Sequence, residues 1–489
     1  MVPLASIVRT HARERGDAVA FVSPGTGERR TYRELAARAA RIAARLRATY
    51  GVGRGDRVAI LALNDVRTFE VMIAASALGA AIVPLNLRLA ERELEPVVRI
   101  ADPKVMFVDE THANVLAGTT IPRARLADAD LLAETAFEGV DGTLDDALVI
   151  LFTSGTTGRP KGAILPGRAI AANAESTRRA WELTNEDAAL VDAPLFHTGG
   201  LNVLATPLLY VGGRVVVLPR FEATASAETL IAEKCTVSFG VPTMIERLLA
   251  GGFVDKSAVR LWVTGGAPCP PSLLEAFDKK RLRLLQGFGM TECGPNCFRP
   301  MDGADRGSVG TPTFDLEARL VKEDGTDAPA GEPGELWLRG PQVFSGYLND
   351  PQATATALGG GWLHTGDVLR ATAKGWFVAG RKKEMFITGG ENVYPAEVEI
   401  ATCEHPSVAE AAIVAIPDPK WGESGVAFVV LRAGEPALSA DDLRAYLKGR
   451  IAGYKVPKTI VIETELPRTP LGKIDKQGLA ARAAAVSPK

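Results

Sequence analysis

Two hydrophobic periods alternate along the first third of the chain. Residues 18–23 are apolar and β-prone, and Pro24-Gly25-Thr26-Gly27 supplies a turn after them. Thr31-Tyr32-Arg33-Glu34 then reads as a capping box opening a helix to about residue 49, with Leu35, Ile42 and Leu46 on one face. A buried strand is expected at 57–63 after the turn Gly53-Arg54-Gly55-Asp56, a helix at 67–78 and a short strand at 80–83. This strand–helix–strand rhythm predicts parallel sheets covered by helices. It returns between residues 190 and 287, with strand-like runs at 208–218 and 237–241 and helices near 225–233 and 243–250. From about 306 to 378 the texture changes. Short β segments at 317–321, 334–339 and 376–378 alternate with Gly, Pro and Asp turns, which predicts a small β-barrel or sandwich. After Gly380 a compact α/β unit begins, with strands at 411–416 and 425–431, a helix at 440–451, and an Ala-rich, frayed end over 479–489.

At 489 residues the chain exceeds one ordinary core. The expected division is a large domain over 1–380, including the β subdomain at about 306–378, and a small domain over 381–489. The Gly380-Arg381-Lys382-Lys383 segment between them suits an exposed hinge, or a plain linker; composition does not separate the two. With 46% hydrophobic and 23% charged residues the chain is of soluble, globular type. Fifty-six Lys and Arg balance 58 Asp and Glu, so no electrostatic footprint for nucleic acid or an anionic membrane exists. Residues 1–17 lack the apolar core of a signal peptide, and Gly79 and Pro84 split the most membrane-like stretch, 71–87. A cytoplasmic protein is expected.

Cys235, Cys269, Cys293, Cys297 and Cys403 are too scattered for a disulfide framework, and no histidine pair has zincin spacing. Small apolar side chains near a core are the expected role for the cysteines, although Cys293 and Cys297 border a turn that carries chemistry.

The densest chemical signal is Thr153-Ser154-Gly155-Thr156-Thr157-Gly158-Arg159-Pro160-Lys161-Gly162, which follows the apolar run 147–152. Glycines let backbone N–H groups approach an anion, hydroxyls add donors and Lys161 adds a point charge, so the loop suits polyphosphate. It is not a Walker A loop, because Lys161 follows proline and precedes Gly162. Three further islands lie downstream. Gly265-Gly266-Ala267 leaves room for a flat ring against the backbone. Gln286-Gly287-Phe288-Gly289-Met290-Thr291-Glu292 sets a hydroxyl beside a carboxylate, and Thr365-Gly366-Asp367 offers an acceptor for sugar hydroxyls. Singly, each reads equally as an ordinary turn.

In this order, over roughly residues 31–473, the islands resemble the acyl-adenylate-forming superfamily of acyl-CoA synthetases, adenylation domains and luciferases. The resemblance implies an α/β fold: a large N-terminal domain of two αβ-layered sheets plus a small β-barrel, and a small mobile C-terminal α+β domain. It implies that Thr153, Ser154, Gly155, Thr156, Thr157, Gly158 and Lys161 hold the β- and γ-phosphates of ATP. Gly265, Gly266 and Ala267 line adenine, and Gln286, Gly287, Phe288, Gly289 and Met290 complete the nucleotide site. Thr291 meets the α-phosphate, Glu292 helps bind Mg2+, and Asp367 and Arg381 hold the ribose. Lys473 bridges the substrate carboxylate and the α-phosphate. The C-terminal domain then turns about Lys383, withdrawing Lys473 and bringing Gly389-Gly390-Glu391-Asn392 to the acyl-AMP to form a pantetheine channel, with Trp421 a further cofactor-binding residue.

The acceptor and acid follow from finer likenesses. Little chain follows Lys473, so no fused carrier domain is expected and the thiol arrives from another molecule. Phe196-His197-Thr198-Gly199-Gly200 resembles the gate of acyl-CoA synthetases and lacks the Asp that amino-acid adenylation domains use, while Trp421-Gly422-Glu423 and Gly453-Tyr454-Lys455-Val456-Pro457 point to the same branch. Free coenzyme A is therefore the expected acceptor, ahead of a carrier-protein thiol. The acyl pocket draws on His197, Phe239, Gly240, Val241, Gly265, Gly287 and Met290, mainly apolar and suited to an aromatic or aliphatic acid. Arg247 reads as a surface helix arginine rather than a partner for a second carboxylate. An ATP-dependent carboxylate–CoA ligase, with a homodimer compatible, leads; an acyl-AMP ligase loading a carrier protein and a nucleotide-binding pseudoenzyme are the alternatives.

Overall fold

The alternation of strands and helices resolves into two seven-stranded sheets. The computed structural model describes residues 1–129, 136–154, 160–267, 269–434, 438–469 and 473–486. The first sheet runs Leu284–Gln286, Leu261–Thr264, Val237–Gly240, Ala188–Val191, Arg214–Val217, Val19–Ser23 and Glu28–Thr31. Its neighbours are parallel throughout, except that Glu28–Thr31 turns back antiparallel to Val19–Ser23. The second runs Gly346–Tyr347, Pro160–Pro166, Ala147–Ser154, Ala81–Pro84, Arg57–Leu61, Val105–Val108 and Arg123–Arg125. Here Ala147–Ser154 and Pro160–Pro166 form an antiparallel hairpin at the side of a parallel array.

Local sequence explains the helices that cover these sheets. Tyr32–Tyr50 starts at a capping box in which Thr31 accepts from the Glu34 N–H and the Glu34 carboxylate accepts from the Thr31 N–H at 2.8 Å. Its buried residues Tyr32, Leu35, Ala39, Ile42, Ala43 and Leu46 share one face, and left-handed Gly51 ends it. It packs on Val66–Leu78, a helix buried so fully that Glu70 has no solvent exposure and is neutralised by Arg38 at 2.7 Å and Arg30 at 3.7 Å. The apolar stretch 71–87 is thus a core helix followed by the strand Ala81–Pro84, and no described helix is long and apolar enough to cross a membrane.

Three expectations need correction. Residues 208–218 are not one strand: Ala205–Val211 is a helix ended by left-handed Gly212, and only Arg214–Val217 is β. An apolar run of that length carries no period that separates a buried helix from a strand. The β-rich region is an open four-stranded antiparallel sheet, Glu317–Val321, Pro333–Arg339, Leu363–Thr372 and Gly375–Arg381, and no closed barrel forms among the described residues. Closure is unnecessary, because Leu320, Leu336, Leu338, Leu363 and Leu369 sink into the same core as the large sheets. The Ala-rich end is a helix, Lys476–Val486, whose Leu479 and Ala483 pack four residues apart against Val414 and Phe428.

Residues 386–483 build two hydrophobic clusters of their own. Their sheet pairs Val408–Asp418 with Gly422–Leu431, flanked by Phe386–Thr388 and by Thr459–Glu463.

Candidate active site

His197, Gly265-Gly266-Ala267 and residues 287–292 follow the carboxyl ends of the parallel strands Ala188–Val191, Leu261–Thr264 and Leu284–Gln286, where open α/β sheets place their ligands. Lys161 lies across the hairpin from Thr153, with Gly162 facing Phe152. Residues 155–159, which include the expected phosphate contacts Gly155, Thr156, Thr157 and Gly158, lie outside the described residues. The Lys161 ammonium stands 5.2 Å from the centre of the Tyr347 ring. Tyr347 is set there by pairing with Ala163, and its hydroxyl donates to Glu292 Oε1 at 2.9 Å. Burial and the Glu292 carboxylate both push the phenol pKa well up, so Tyr347 remains a donor.

Glu292 is 8% exposed and sits in the tight turn Thr291–Cys293. Its carbonyl accepts from the Phe344 N–H at 2.8 Å. The turn before it is packed tightly: a Cβ on Gly289 would come within 2.2 Å of the Pro295 carbonyl, so only glycine fits. Alongside, the Gly287 N–H donates to the Thr264 carbonyl at 2.7 Å, holding Gly265-Gly266-Ala267 and Gly287 edge to edge. The result is a narrow, side-chain-poor face at the ends of Leu261–Thr264 and Leu284–Gln286.

Asp367 and Arg381 are cross-strand partners in the four-stranded sheet, with Arg381 Nε 3.0 Å from Asp367 Oδ1. Burial raises the Asp367 carboxyl above its usual value, while Arg381 and Lys473 oppose the shift. Lys473 enters this field from the C-terminal region. Solvent still reaches it, yet desolvation by the surrounding protein and the Arg381 charge lower its ammonium pKa against the pull of Asp367, Glu292 and Glu384. The same lysine acts on His197, whose imidazole is driven down to about 4 by burial, then by Lys473 and Arg88. His197 is therefore neutral near pH 7. Its ring packs 4.7 Å from Phe196, and a Cβ on nearby Gly199 would meet Phe239 at 3.2 Å.

Lys161, Glu292, Asp367, Arg381, His197 and Lys473 are thus gathered from the two large sheets, the four-stranded sheet and the C-terminal region. Gly389, Gly390, Glu391 and Trp421 form a separate group. There the Gly389 N–H donates to the Trp421 carbonyl at 2.8 Å, and Lys420 and Lys458 approach the indole at 5.0 and 4.9 Å. Cys293 and Cys297 are fully buried, with the Cys297 thiol 3.1 Å from the Gly294 carbonyl. Burial pushes the Cys293 thiol far up, so neither the lining nor a reactive role fits it. Arg247 is exposed, its guanidinium over Phe221, as a surface arginine should be.

Known sequences match this chain over most of its length. Residues 8–348 fit the family model described as AMP-binding enzyme, and residues 397–473 fit the AMP-binding enzyme C-terminal domain. The chain belongs to the AMP-binding enzyme family. A feruloyl-CoA synthase of Amycolatopsis sp is 39% identical over 455 residues, covering 91% of this chain and 92% of that protein. An indoleacetate–CoA ligase of Aromatoleum aromaticum is 38% identical over 472 residues, with 91% and 92% covered. Among solved structures, the o-succinylbenzoate CoA synthetase of Bacillus subtilis, in complex with its acyl-adenylate intermediate, superposes with a TM-score of 0.87 at 29% identity, covering 98% of each chain. This AMP-binding enzyme is accordingly an AMP-forming acid–CoA ligase that uses ATP.

Two site residues escaped the sequence reading. Tyr347 carries no local signal, since its hydroxyl gains meaning only once Gly346–Tyr347 pairs with the hairpin. Lys476 could have been noticed from its spacing, three residues beyond Lys473.

Proposed function

We propose that this ligase activates a planar aromatic acid as its acyl-AMP and passes the acyl group to free coenzyme A. The observation that carries the reading is the entry of Lys473 into the field of Glu292, Asp367, Arg381 and His197. In the first half-reaction a carboxylate oxygen attacks the α-phosphorus, and the bond to pyrophosphate breaks. In this scheme Lys473 neutralises the attacking carboxylate and Lys161 the departing phosphates. Thr153, Ser154 and the segment 155–158 supply further donors, Thr291 meets the α-phosphate, and Asp367 and Arg381 fix the ribose. Glu292 fits an Mg2+ ligand: one carboxylate, oriented by Tyr347, suits an ion that takes its other oxygens from phosphate and water. When bound, the ion would neutralise phosphate charge.

In the second half-reaction the coenzyme A sulfur attacks the acyl carbonyl, AMP leaves and the thiol proton is released. Domains over 1–380 and 381–489, pivoting at Lys383, would exchange Lys473 for the Gly389-Gly390-Glu391 turn and Trp421. The glycine-edged face, the Phe239 ring over Gly199 and a neutral His197 support a flat, apolar acyl group, as do the feruloyl and indoleacetate substrates named for the two relatives. The cytoplasm, where coenzyme A and ATP coexist, is the matching compartment.

The test is a panel of cinnamate, indole-3-acetate, benzoate, hexanoate and malonate with ATP, Mg2+ and coenzyme A. Pyrophosphate is followed by a coupled assay and thioesters by mass spectrometry. The aromatic acids should turn over fastest and yield thioesters. Faster turnover of hexanoate or malonate would overturn the aromatic assignment, and pyrophosphate without thioester would favour a carrier-protein acceptor.

A further inference from the structure

The loop that bears Lys473 is fastened on both sides of its base. Across the base, the Thr469 N–H donates to the Lys473 carbonyl at 2.7 Å, Arg468 bridges Ile474, and the Asp475 N–H donates to the Pro467 carbonyl at 2.8 Å. Outside this ladder stand two ion-pair anchors. Arg468 Nη2 contacts both oxygens of Glu410 at 2.7 Å, tying one leg to the strand Val408–Asp418. Lys476 Nζ contacts Glu384 Oε2 at 2.6 Å and Glu399 Oε1 at 2.8 Å, tying the other leg to two places at once.

The second anchor is the informative one. Glu399 is almost buried, and its Oε1 also accepts from the Ile413 N–H at 2.8 Å, so it is a fixed point of the C-terminal body. Burial works against the Lys476 ammonium, but Glu399 and Glu384 outweigh it and hold its pKa above the usual value. Glu384 follows Lys383 directly and lies close enough to act on Lys473 as well. Lys476 thus ties the leg that follows Lys473 to a carboxylate beside the expected pivot.

We propose that Lys476 is a positioning residue for adenylation: it holds the Lys473 loop to Glu399 and keeps Glu384 engaged, leaving the Lys473 ammonium directed at the adenylate site. Without Lys476, the leg that follows Lys473 loses its ties to Glu384 and Glu399. The inference rests on the ligase reading above, because it assigns Lys476 a role only through Lys473.

The experiment separates the half-reactions in the full-length enzyme. Acid-dependent ATP–pyrophosphate exchange reports adenylation, using the panel acid that wild type turns over fastest. Conversion of its synthetic acyl-AMP by coenzyme A reports thioester formation. Lys476→Met should lower the exchange kcat by about 10- to 100-fold with KM for ATP within about twofold, as loss of a supporting shell does. Thioester formation should stay within about twofold, and Lys476→Arg should restore exchange. Glu399→Gln cuts the same tie from the other side with Lys476 in place and should lower exchange in the same sense, so it keeps the test informative if Lys476→Met folds poorly. Unchanged exchange in Lys476→Met overturns the proposal, as does equal loss in both half-reactions. Lys473→Ala is run alongside: if that variant retains exchange, the role of Lys473 itself is wrong, a different failure from a silent Lys476.

Discussion

Asp367 and the hairpin bearing Lys161 stand on strands, and Glu292 on the turn Thr291–Cys293, around one core that includes Val149, Leu151, Leu336 and Leu369. Lys473 stands instead on a loop pinned by Arg468–Glu410 and Lys476–Glu384–Glu399 to a body with its own two small clusters. Close packing fixes the first group in place, since a dense core resists displacement. Ion pairs within a body of its own would keep the internal geometry of the second group through the pivot proposed above. Under the proposed function, nucleotide recognition falls to the region held by the large core, and the charge needed for one step only falls to the body with its own clusters.

Lys473→Ala should produce the largest effect. On the proposed role it removes the charge that neutralises the attacking carboxylate, so ATP–pyrophosphate exchange should fall about a thousandfold, roughly 4 kcal/mol of barrier. Thioester formation from supplied acyl-AMP should survive. If both steps collapse together, Lys473 belongs functionally to the fixed cradle and the division between the two regions is wrong.

The fixed region was the more legible in sequence. Its helices announce themselves through the Thr31–Glu34 capping box and the spacing of Leu35, Ile42 and Leu46, and its chemistry through glycines and hydroxyls grouped within single turns. What escaped was relational. Tyr347 needs the Gly346–Tyr347 pairing to reach Glu292, and nothing within five residues of it indicates this. The barrel expectation failed similarly, because the leucines that alternate along Pro333–Arg339 do not say which surface will cover them. Helix Lys476–Val486 was mistaken for a frayed end because its apolar face is mostly alanine, and its partners, Val414 and Phe428, lie far away in the chain.

A buried carboxylate gives the next largest effect and tests how tightly the fixed region is packed. Asp192 is 4% exposed, directly beyond the strand Ala188–Val191, and burial raises its carboxyl to about 6. A folded value above the unfolded one means that the folded state holds the proton longer. The stability it contributes is full below the unfolded value and is lost as pH rises through about 6. A shift of about two units corresponds to about 3 kcal/mol, roughly half of it lost between pH 5 and pH 8. Asp192→Asn mimics the protonated form, so urea unfolding should show the variant gaining on wild type as pH rises over that interval. A pH-independent difference would mean that water reaches Asp192 and that this region is looser than its packing indicates.

The smallest effect should come from the joint between the regions. Arg432, just past the strand Gly422–Leu431, donates from Nη2 to Ser272 Oγ at 3.1 Å on the helix Pro271–Lys279. Burial raises the nearby Glu246 carboxyl, and the Arg432 charge counters it, so the two sides also meet electrostatically. Contacts of this exposed kind are worth less than about 1 kcal/mol and are screened by salt. Arg432→Ala should therefore slow pyrophosphate exchange only about two- to threefold. The wild-type advantage should shrink in added salt, and thioester formation should hold or quicken, because the pose that serves adenylation loses support. A hundredfold loss would mean that this one contact, rather than the fastening of the Lys473 loop, decides where the lysine goes. No change at any ionic strength would leave the hinge segment alone to set the pose, and would sharpen the contrast between a cradle made by packing and a lysine delivered by its own anchored loop.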